Sequence, residues 1–154
     1  MTPRQKLAAK IGAGAMALAV PLVIQYEGLI LRGYRDPVNL ITACVGHTAT
    51  AQMRTYTRQE CEELLYRDLN KHADALECVK TQMTDGQKAA FLSFAFNVGA
   101  QKFCGSTLVK KANQGDMPGA CAELSRWTYA GGRELPGLVK RRAAERALCE
   151  RGLS

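Results

Sequence analysis

Six cysteines set the strongest limit on how this chain of 154 residues can fold. The chain has no Cys-x-x-Cys pair, the spacing typical of many zinc and redox sites, so three disulfides are the natural inference. Disulfides persist in oxidising compartments, and the folded part is therefore expected outside the cytoplasm. Six buried thiols in a cytosolic protein are the alternative. The cysteines are Cys44, Cys61, Cys78, Cys104, Cys121 and Cys149.

Six cysteines allow fifteen connectivities, and their expected positions narrow the choice. Cys44 lies at the end of an expected sheet and Cys61 in the first turn of an expected long helix. Cys78 lies about 100° around that helix from Cys61 and should therefore meet a different partner. We favour the pairs Cys44–Cys61, Cys78–Cys104 and Cys121–Cys149.

The first 24 residues have the composition of a marginal membrane anchor. Three cations precede the uncharged stretch Ile11–Ile24, in which alanine and glycine fill many positions. As one helix, Leu7–Ile24 would span about 27 Å, just short of a bilayer core. We therefore expect an uncleaved N-terminal anchor at residues 1–24. The cations are Arg4, Lys6 and Lys10.

Two other interpretations of this segment stay open. Ala17-Leu18-Ala19 resembles a small-x-small cleavage site, which would make the segment a removed signal peptide. The second is an ordinary buried helix. It agrees with the anchor interpretation if the segment lies in the membrane at first and packs against the folded domain later. The two interpretations differ in whether the segment remains attached to the folded part.

The net charge of +7 suits an anionic partner such as cell-wall polymer, a membrane surface or nucleic acid. The sequence has no zinc-finger spacing, no ribonucleoprotein-type aromatic motif and no basic region running into heptads. We therefore expect no nucleic-acid partner. The chain length and its 47% apolar residues fit one globular domain.

The rest of the chain predicts a small sheet followed by helices. The β-prone stretches Leu31–Tyr34 and Leu40–Val45, with turn signals after each, predict a small antiparallel sheet. A capping box at Thr57–Glu60 opens a long helix, and a second at Thr84–Gln87 opens a buried one that should stop near Gly99. Further helices are expected at 106–113, 117–127 and 138–150, with a loop at 131–137. This order predicts an α+β fold with a cleft between two lobes.

Three residues near the expected sheet could perform acid–base chemistry. Glu27 is the only charged residue between Pro21 and Leu31, and apolar surroundings favour the neutral carboxyl that a general acid needs. A solvent-facing glutamate at a helix end is the alternative. Asp36, in an Asp-Pro turn, is expected to be ionised and able to act as a base, with Thr42 holding a water beside it.

Together these residues resemble the bacteriophage lysozyme (endolysin) family. The shared pattern is Glu27-Gly28, eight residues between Glu27 and Asp36, five residues between Asp36 and Thr42, and then Gly46-His47-Thr48. Weaker similarity extends over roughly residues 25–150. The resemblance implies a lysozyme-like α+β fold in which the cleft lies between a small sheet lobe and a larger helical lobe.

That resemblance also implies an activity for a muramidase domain at residues 25–154. The domain would hydrolyse the β-1,4 bond between N-acetylmuramic acid and N-acetylglucosamine in peptidoglycan, without a cofactor or metal. Glu27 would protonate the leaving oxygen, while Asp36 and Thr42 would position a water on the opposite face of the sugar, which implies inversion. Tyr34 is a candidate for the substrate-facing wall, and packing on the sheet is its alternative.

His47 and the basic run Lys140–Arg142 receive structural interpretations. Too few ligands surround His47 for zinc, and the resemblance implies an ion pair between His47 and Asp68 on the long helix. The run Lys140–Arg142 is expected to be a solvated helix face.

The resemblance is to the signal-anchor-release subgroup, in which tethering keeps the enzyme silent. One form of control uses a cysteine near the anchor, but residues 1–43 contain none. We therefore expect the other form, in which the released segment refolds against the domain and carries Glu27 into position. The expected partners are peptidoglycan strands, the host inner membrane before release, and a holin whose depolarisation of the membrane triggers release into the periplasm.

Three competing functions remain open from sequence, and the protein is expected to be a monomer in each. A lysozyme scaffold could bind glycan without cutting it, although the intact Glu27, Asp36 and Thr42 disfavour this. Basic and apolar segments could instead disrupt bilayers. A lytic transglycosylase would leave anhydro-sugar ends in place of reducing ends.

Overall fold

The N-terminal segment forms two helices in the computed structural model, which describes residues 1–153. Helix α1 (Pro3–Ile11) and helix α2 (Ala13–Glu27) meet at Gly12 with a bend of 117°. Gly12 has a φ of +87°, a value that glycine adopts readily. Among the described residues, no single helix has the length and hydropathy of a membrane span, whereas this bent pair together has both.

A small antiparallel sheet follows the two helices. Strands β1 (Ile30–Arg35) and β2 (Ile41–Cys44) pair with Tyr34 opposite Thr42. Ala43 and Cys44 of β2 form a minor core with Tyr56 and Cys61. The sheet and the helices after it confirm the expected α+β order.

Helices make up most of the remaining chain. The expected capping boxes are present, with Thr57 accepting from the Glu60 N–H and Thr84 accepting from the Gln87 N–H. The helices are α3 (Arg58–Ala73), α4 (Asp85–Val98), α5 (Ala100–Cys104), α6 (Thr107–Asn113), α7 (Met117–Glu123) and α8 (Pro136–Glu150), with 3₁₀ turns at Asp74–Cys78 and Leu124–Arg126.

The structure corrects the expected loop at 131–137. Strands β3 (Tyr129–Ala130) and β4 (Arg133–Glu134) form a short hairpin there. Its two turn residues, Gly131 and Gly132, have φ of +59° and +76°, and a type I′ hairpin turn needs positive φ at both of these positions. The loop interpretation is therefore wrong, because paired glycines suit such a turn as well as an open loop.

Helix α4 forms the centre of the core and packs between α2 and α8. Its phenylalanines Phe91 and Phe94 are fully buried. Helix α2 approaches it closely, since a Cβ added at Gly14 would lie 2.1 Å from the Asp85 carboxylate. The N-terminal helices contribute Leu7, Ile11, Ala15, Ala19 and Val23 to the same buried cluster. In this state the N-terminal segment is thus a packed part of the folded protein.

Three disulfides tie the elements together in the favoured pairing. Cys44–Cys61 joins β2 to α3, Cys78–Cys104 joins the turn after α3 to α5, and Cys121–Cys149 joins α7 to α8. All six cysteines follow residue 43, so no disulfide reaches α1 or α2 among the described residues. Apart from the backbone that continues from Glu27 to Gly28, the N-terminal helices are therefore held to the body by non-covalent contacts.

Candidate active site

Glu27 is the last residue of α2, at the point where the chain leaves the helical lobe for the sheet. Gly28 ends the helix with a φ of +80°, and its N–H donates to the carbonyl of Ile24. The side chain of Glu27 is 20% exposed, so the carboxylate is sheltered but reachable. The end of α2 thus fixes where this carboxylate lies.

A buried arginine contacts Glu27 directly. Arg141, from α8, donates through Nη1 to Glu27 Oε2 at 2.5 Å, and its side chain is only 4% exposed. The prediction that only apolar groups surround Glu27 is therefore wrong. The neighbours of Glu27 in sequence are uncharged, but a charged neighbour comes from 114 residues further along the chain.

Arg141 belongs to a buried ionic network that also corrects the interpretation of Lys140–Arg142. Lys140 is exposed as expected, but Arg141 and Arg142 are 3% and 1% exposed. Both pair with Glu145, which is fully buried and accepts from the Ser93 hydroxyl at 2.6 Å. Burial raises the pKa of Glu145, and the charges of Arg142 and Arg141 oppose that shift. This network fixes the guanidinium that contacts Glu27.

We expect Glu145→Gln to destabilise the fold strongly. The substitution leaves two buried arginines short of a carboxylate, and breaking a buried ion pair costs about 3–5 kcal/mol. Glu150→Gln is the matched control, because Glu150 pairs with Arg146 on the same helix but is 44% exposed, and exposed pairs contribute about 0–1 kcal/mol. Urea unfolding measures both free energies. Equal losses would show that the buried network adds no stability beyond a surface pair.

Gly46 lies against the other oxygen of Glu27. A Cβ built on Gly46 would lie 2.8 Å from Glu27 Oε1, and the φ of Gly46 is +65°. Any side chain here would crowd the carboxylate, so glycine keeps Oε1 open. The two oxygens of Glu27 therefore differ, since Oε2 is bound by Arg141 and Oε1 faces the Gly46 loop.

Two cavities meet at Glu27 and Asn97. The first, of about 350 Å³, lies towards the sheet lobe and α3, and its walls include Gly46, His72 and Phe96. The second, of about 340 Å³, lies towards α8, and its walls include Tyr26, Leu135 and Arg141. The Glu27 carboxylate thus stands between two spaces, which is the arrangement needed to cut a polymer bound on both sides of the reacting bond.

Asp36 and Thr42 lie close to the turn that joins β1 and β2. Asp36 follows β1, and its Oδ1 accepts from the N–H groups of Val38 and Leu40, so the turn holds the carboxylate in place. Thr42 is buried on β2 and donates to the carbonyl of Leu40. Among residues 1–153, the walls of the two cavities at Glu27 include neither of them.

Tyr34 is half-buried on β1, opposite Thr42 in the strand pairing. This position places Tyr34 on the same strand pair as the aspartate and threonine of the sequence pattern. Its role as a wall for substrate stays a prediction.

His47 makes the ion-pair contact expected of it. Its Nδ1 lies 2.7 Å from Asp68 Oδ2, and its Nε2 lies 2.7 Å from the Thr50 hydroxyl. Both residues are largely buried, so the contact joins the loop after β2 to α3. In the part of the chain that the structure describes, no three His, Cys, Asp or Glu side chains are grouped to hold a metal ion.

Sequence reasoning missed Arg141 and the cavity-wall residues Tyr26 and Leu135. One signal was available for Arg141: Arg141 and Glu145 are four residues apart, and side chains at that spacing meet on one helix face. No local pattern marks Tyr26 or Leu135 as part of a cavity.

The chain is similar in sequence and in fold to phage lysozymes. The sequence model of the family described as Phage lysozyme matches residues 24–145. The SAR-endolysin of Enterobacteria phage PA-2 is 42% identical over 95% of this chain and 94% of its own length. The SAR-endolysin of Bacteriophage PS119 is 41% identical over 95% of this chain and 93% of its own. The crystal structure of the active form of P1 phage endolysin Lyz shares the fold with a TM-score of 0.83 at 22% identity, covering 100% of this chain and 96% of that one.

Proposed function

Since this chain belongs to the phage lysozyme family, we propose that Glu27 is the acid with which it cuts peptidoglycan. The chain is a lysozyme, a glycoside hydrolase, and acts as an endolysin on the bacterial cell wall. The observation that carries the assignment of Glu27 is its place between two cavities, with a sheltered carboxylate at their junction.

The two oxygens of Glu27 have separate tasks in this proposal. Arg141 binds Oε2 and orients the carboxyl group, so Oε1 carries the proton towards the glycosidic oxygen. The absence of a side chain at Gly46 leaves room for that oxygen of the substrate. Arg141 is a positioning residue, since it acts through Glu27.

Asp36 and Thr42 complete the proposed mechanism. The Asp36 carboxylate accepts the proton of a water that attacks the anomeric carbon, and Thr42 helps to hold that water. Support comes from the spacing of Glu27, Asp36 and Thr42 in the sequence, and from the turn that fixes Asp36. A water between base and sugar implies that the configuration at the anomeric carbon inverts.

We expect digestion of purified peptidoglycan to release reducing N-acetylmuramic acid ends, first as the α-anomer. Proton NMR during the first minutes identifies the anomer before it equilibrates, and mass spectrometry identifies the ends. Asp36→Asn should lower turnover by about 10²–10⁴-fold, the usual contribution of a general base. The control Asp116→Asn changes an exposed aspartate on α7's N-terminal turn and should leave turnover unchanged.

Two results would contradict this mechanism. An initial β-anomer would mean retention, with Asp36 acting as a nucleophile. Anhydro-sugar ends would mean lytic transglycosylation, in which no water attacks. Thr42→Ala should reduce turnover measurably but less than Asp36→Asn, because the hydroxyl only helps to hold the water.

We further propose that residues 1–24 anchor the chain in the host inner membrane, with residues 25–154 in the periplasm, until release. The names of the SAR-endolysin relatives support this state. Glu27 ends α2, so an α2 held in a bilayer cannot also place Glu27 against Arg141. Docking of the released segment would assemble the site, and depolarisation by a holin would be the trigger.

A further inference from the structure

A basic groove lies beside the cavity at Glu27. Helix α1 supplies Lys6 and Lys10 to it, and α3 supplies Arg67 and Lys71. The groove has a volume of about 600 Å³ and is bounded on its third side by the loop that follows β2. We use the name basic groove for the space defined by these four cations.

Most of this positive charge is not neutralised within the protein. Lys10 pairs with Asp74 at 2.8 Å, and Asp68, the other acid in the groove, contacts His47. Within residues 1–153, Lys6, Arg67 and Lys71 have no ion-pair partner, and all three are exposed. Three free cations around one concave space form a site for a ligand with negative charge.

The groove adjoins the cavity beside Glu27. Ala49, Asp68 and Lys71 line both spaces, so the two are neighbours on one face of the protein. A ligand in the basic groove can therefore be part of a molecule whose sugar lies at Glu27. This adjacency favours the substrate itself over an unconnected anion.

We propose that the basic groove binds the carboxylates of the stem peptide carried by N-acetylmuramic acid. This inference rests on the proposed function and names the part of the substrate that the groove contacts. An extended peptide of five residues spans about 17 Å, enough to pass from a sugar in the cavity into the adjoining groove. Lys71 stands where the two spaces join, and Lys6 and Arg67 lie further along.

The proposal gives α1 a task besides its packing. Lys6 is one of the free cations, so the groove has its full charge only when α1 is docked on α3. The N-terminal segment then contributes directly to contact with substrate as well as to the placement of Glu27.

The test compares two substrates with two double variants of the purified full chain. The substrates are intact sacculi and sacculi from which an amidase has removed the stem peptides. Lys6→Gln/Arg67→Gln removes two groove cations, and Lys102→Gln/Lys110→Gln removes two exposed cations on α5 and α6, away from the groove. The measured quantity is the ratio of half-saturating concentrations on the two substrates, at low and at high salt.

We expect wild type to favour intact sacculi and the groove variant to lose about two- to tenfold of that preference at low salt, as expected for two exposed ion pairs. High salt should remove the difference, since it screens exposed charges. The control variant should keep the wild-type ratio.

Three results would overturn the proposal. An unchanged ratio in the groove variant, with wild type cutting both substrates, removes the groove from substrate binding while leaving the lysozyme assignment intact. An equal loss in both variants would mean a general effect of net charge. A groove variant that keeps the wild-type ratio but no longer binds phosphatidylglycerol vesicles would make the ligand a lipid headgroup. Failure of wild type on both substrates would instead reject the proposed function.

Discussion

Glu27→Gln is expected to lower turnover on purified peptidoglycan by about 10²–10⁴-fold, the usual contribution of a general acid. Glutamine keeps the shape of the side chain, and its carbonyl oxygen still accepts from Arg141. The amide cannot donate the proton that the leaving oxygen needs. Reducing-end release from sacculi measures the loss, and circular dichroism with thermal unfolding checks that the fold is kept.

A matched control separates this effect from a change in charge. Glu62→Gln makes the same chemical change at an exposed position on α3, remote from both cavities, and should keep full activity. Wild-type turnover by the Glu27→Gln protein would reject Glu27 as the acid. Lysis of cells by that protein, without release of reducing ends, would indicate membrane disruption.

The second large effect concerns release from the membrane. Ala13→Leu with Ala17→Leu should keep more of the chain in the inner membrane and delay lysis. Both alanines are exposed on α2 in the folded state, so larger side chains there leave the core intact. Two leucines favour the inserted state by about 1 kcal/mol, which shifts the partition towards the membrane by about fivefold.

The choice of these alanines follows from the packing of the segment. Leucine at Gly12 would be strained at a φ of +87°, and at Gly14 it would collide with Asp85. Either change would damage the released enzyme as well as strengthen the anchor. Gly12 and Gly14 are therefore unsuitable for separating the two effects.

Two measurements test the effect of the Ala13→Leu with Ala17→Leu variant on release. Membrane fractionation follows retention, and detergent extraction of the retained protein should restore activity on sacculi. Ala143→Leu with Ala147→Leu adds the same side chains at exposed positions on α8 and should leave lysis timing unchanged. Retention in the membrane together with normal lysis would refute silencing by tethering.

Local signals predicted the elements of this fold well, and long-range packing explains the exceptions. The capping boxes at Thr57 and Thr84 open helices at the expected residues, because a cap is set by four consecutive residues. The hairpin at residues 129–134 was missed, since its strands have only two residues each. Short strands leave too little alternation to be recognised.

The candidate active site likewise has features that the local sequence predicts and features that only long-range packing sets. The sequence pattern predicted Glu27 as the acid, which stays a prediction, and the expected contact between His47 and Asp68 is present. The surroundings of Glu27 could not be predicted, because Arg141 comes from α8 and becomes its neighbour only when α2 and α8 pack on either side of α4. A run of basic residues gives no indication by itself of which side chain faces inward.

Under the proposed anchoring, with residues 3–27 as one straight helix in the bilayer, the bend at Gly12 would turn release into a change in length. A straight helix over residues 3–27 measures about 37 Å, whereas two helices of these lengths bent by 117° bring their outer ends to within about 20 Å. Fluorophores near residues 2 and 28 would therefore report the transition as a rise in energy transfer. The same hinge then provides an optical signal for the moment at which each molecule leaves the bilayer, independent of any measurement of lysis.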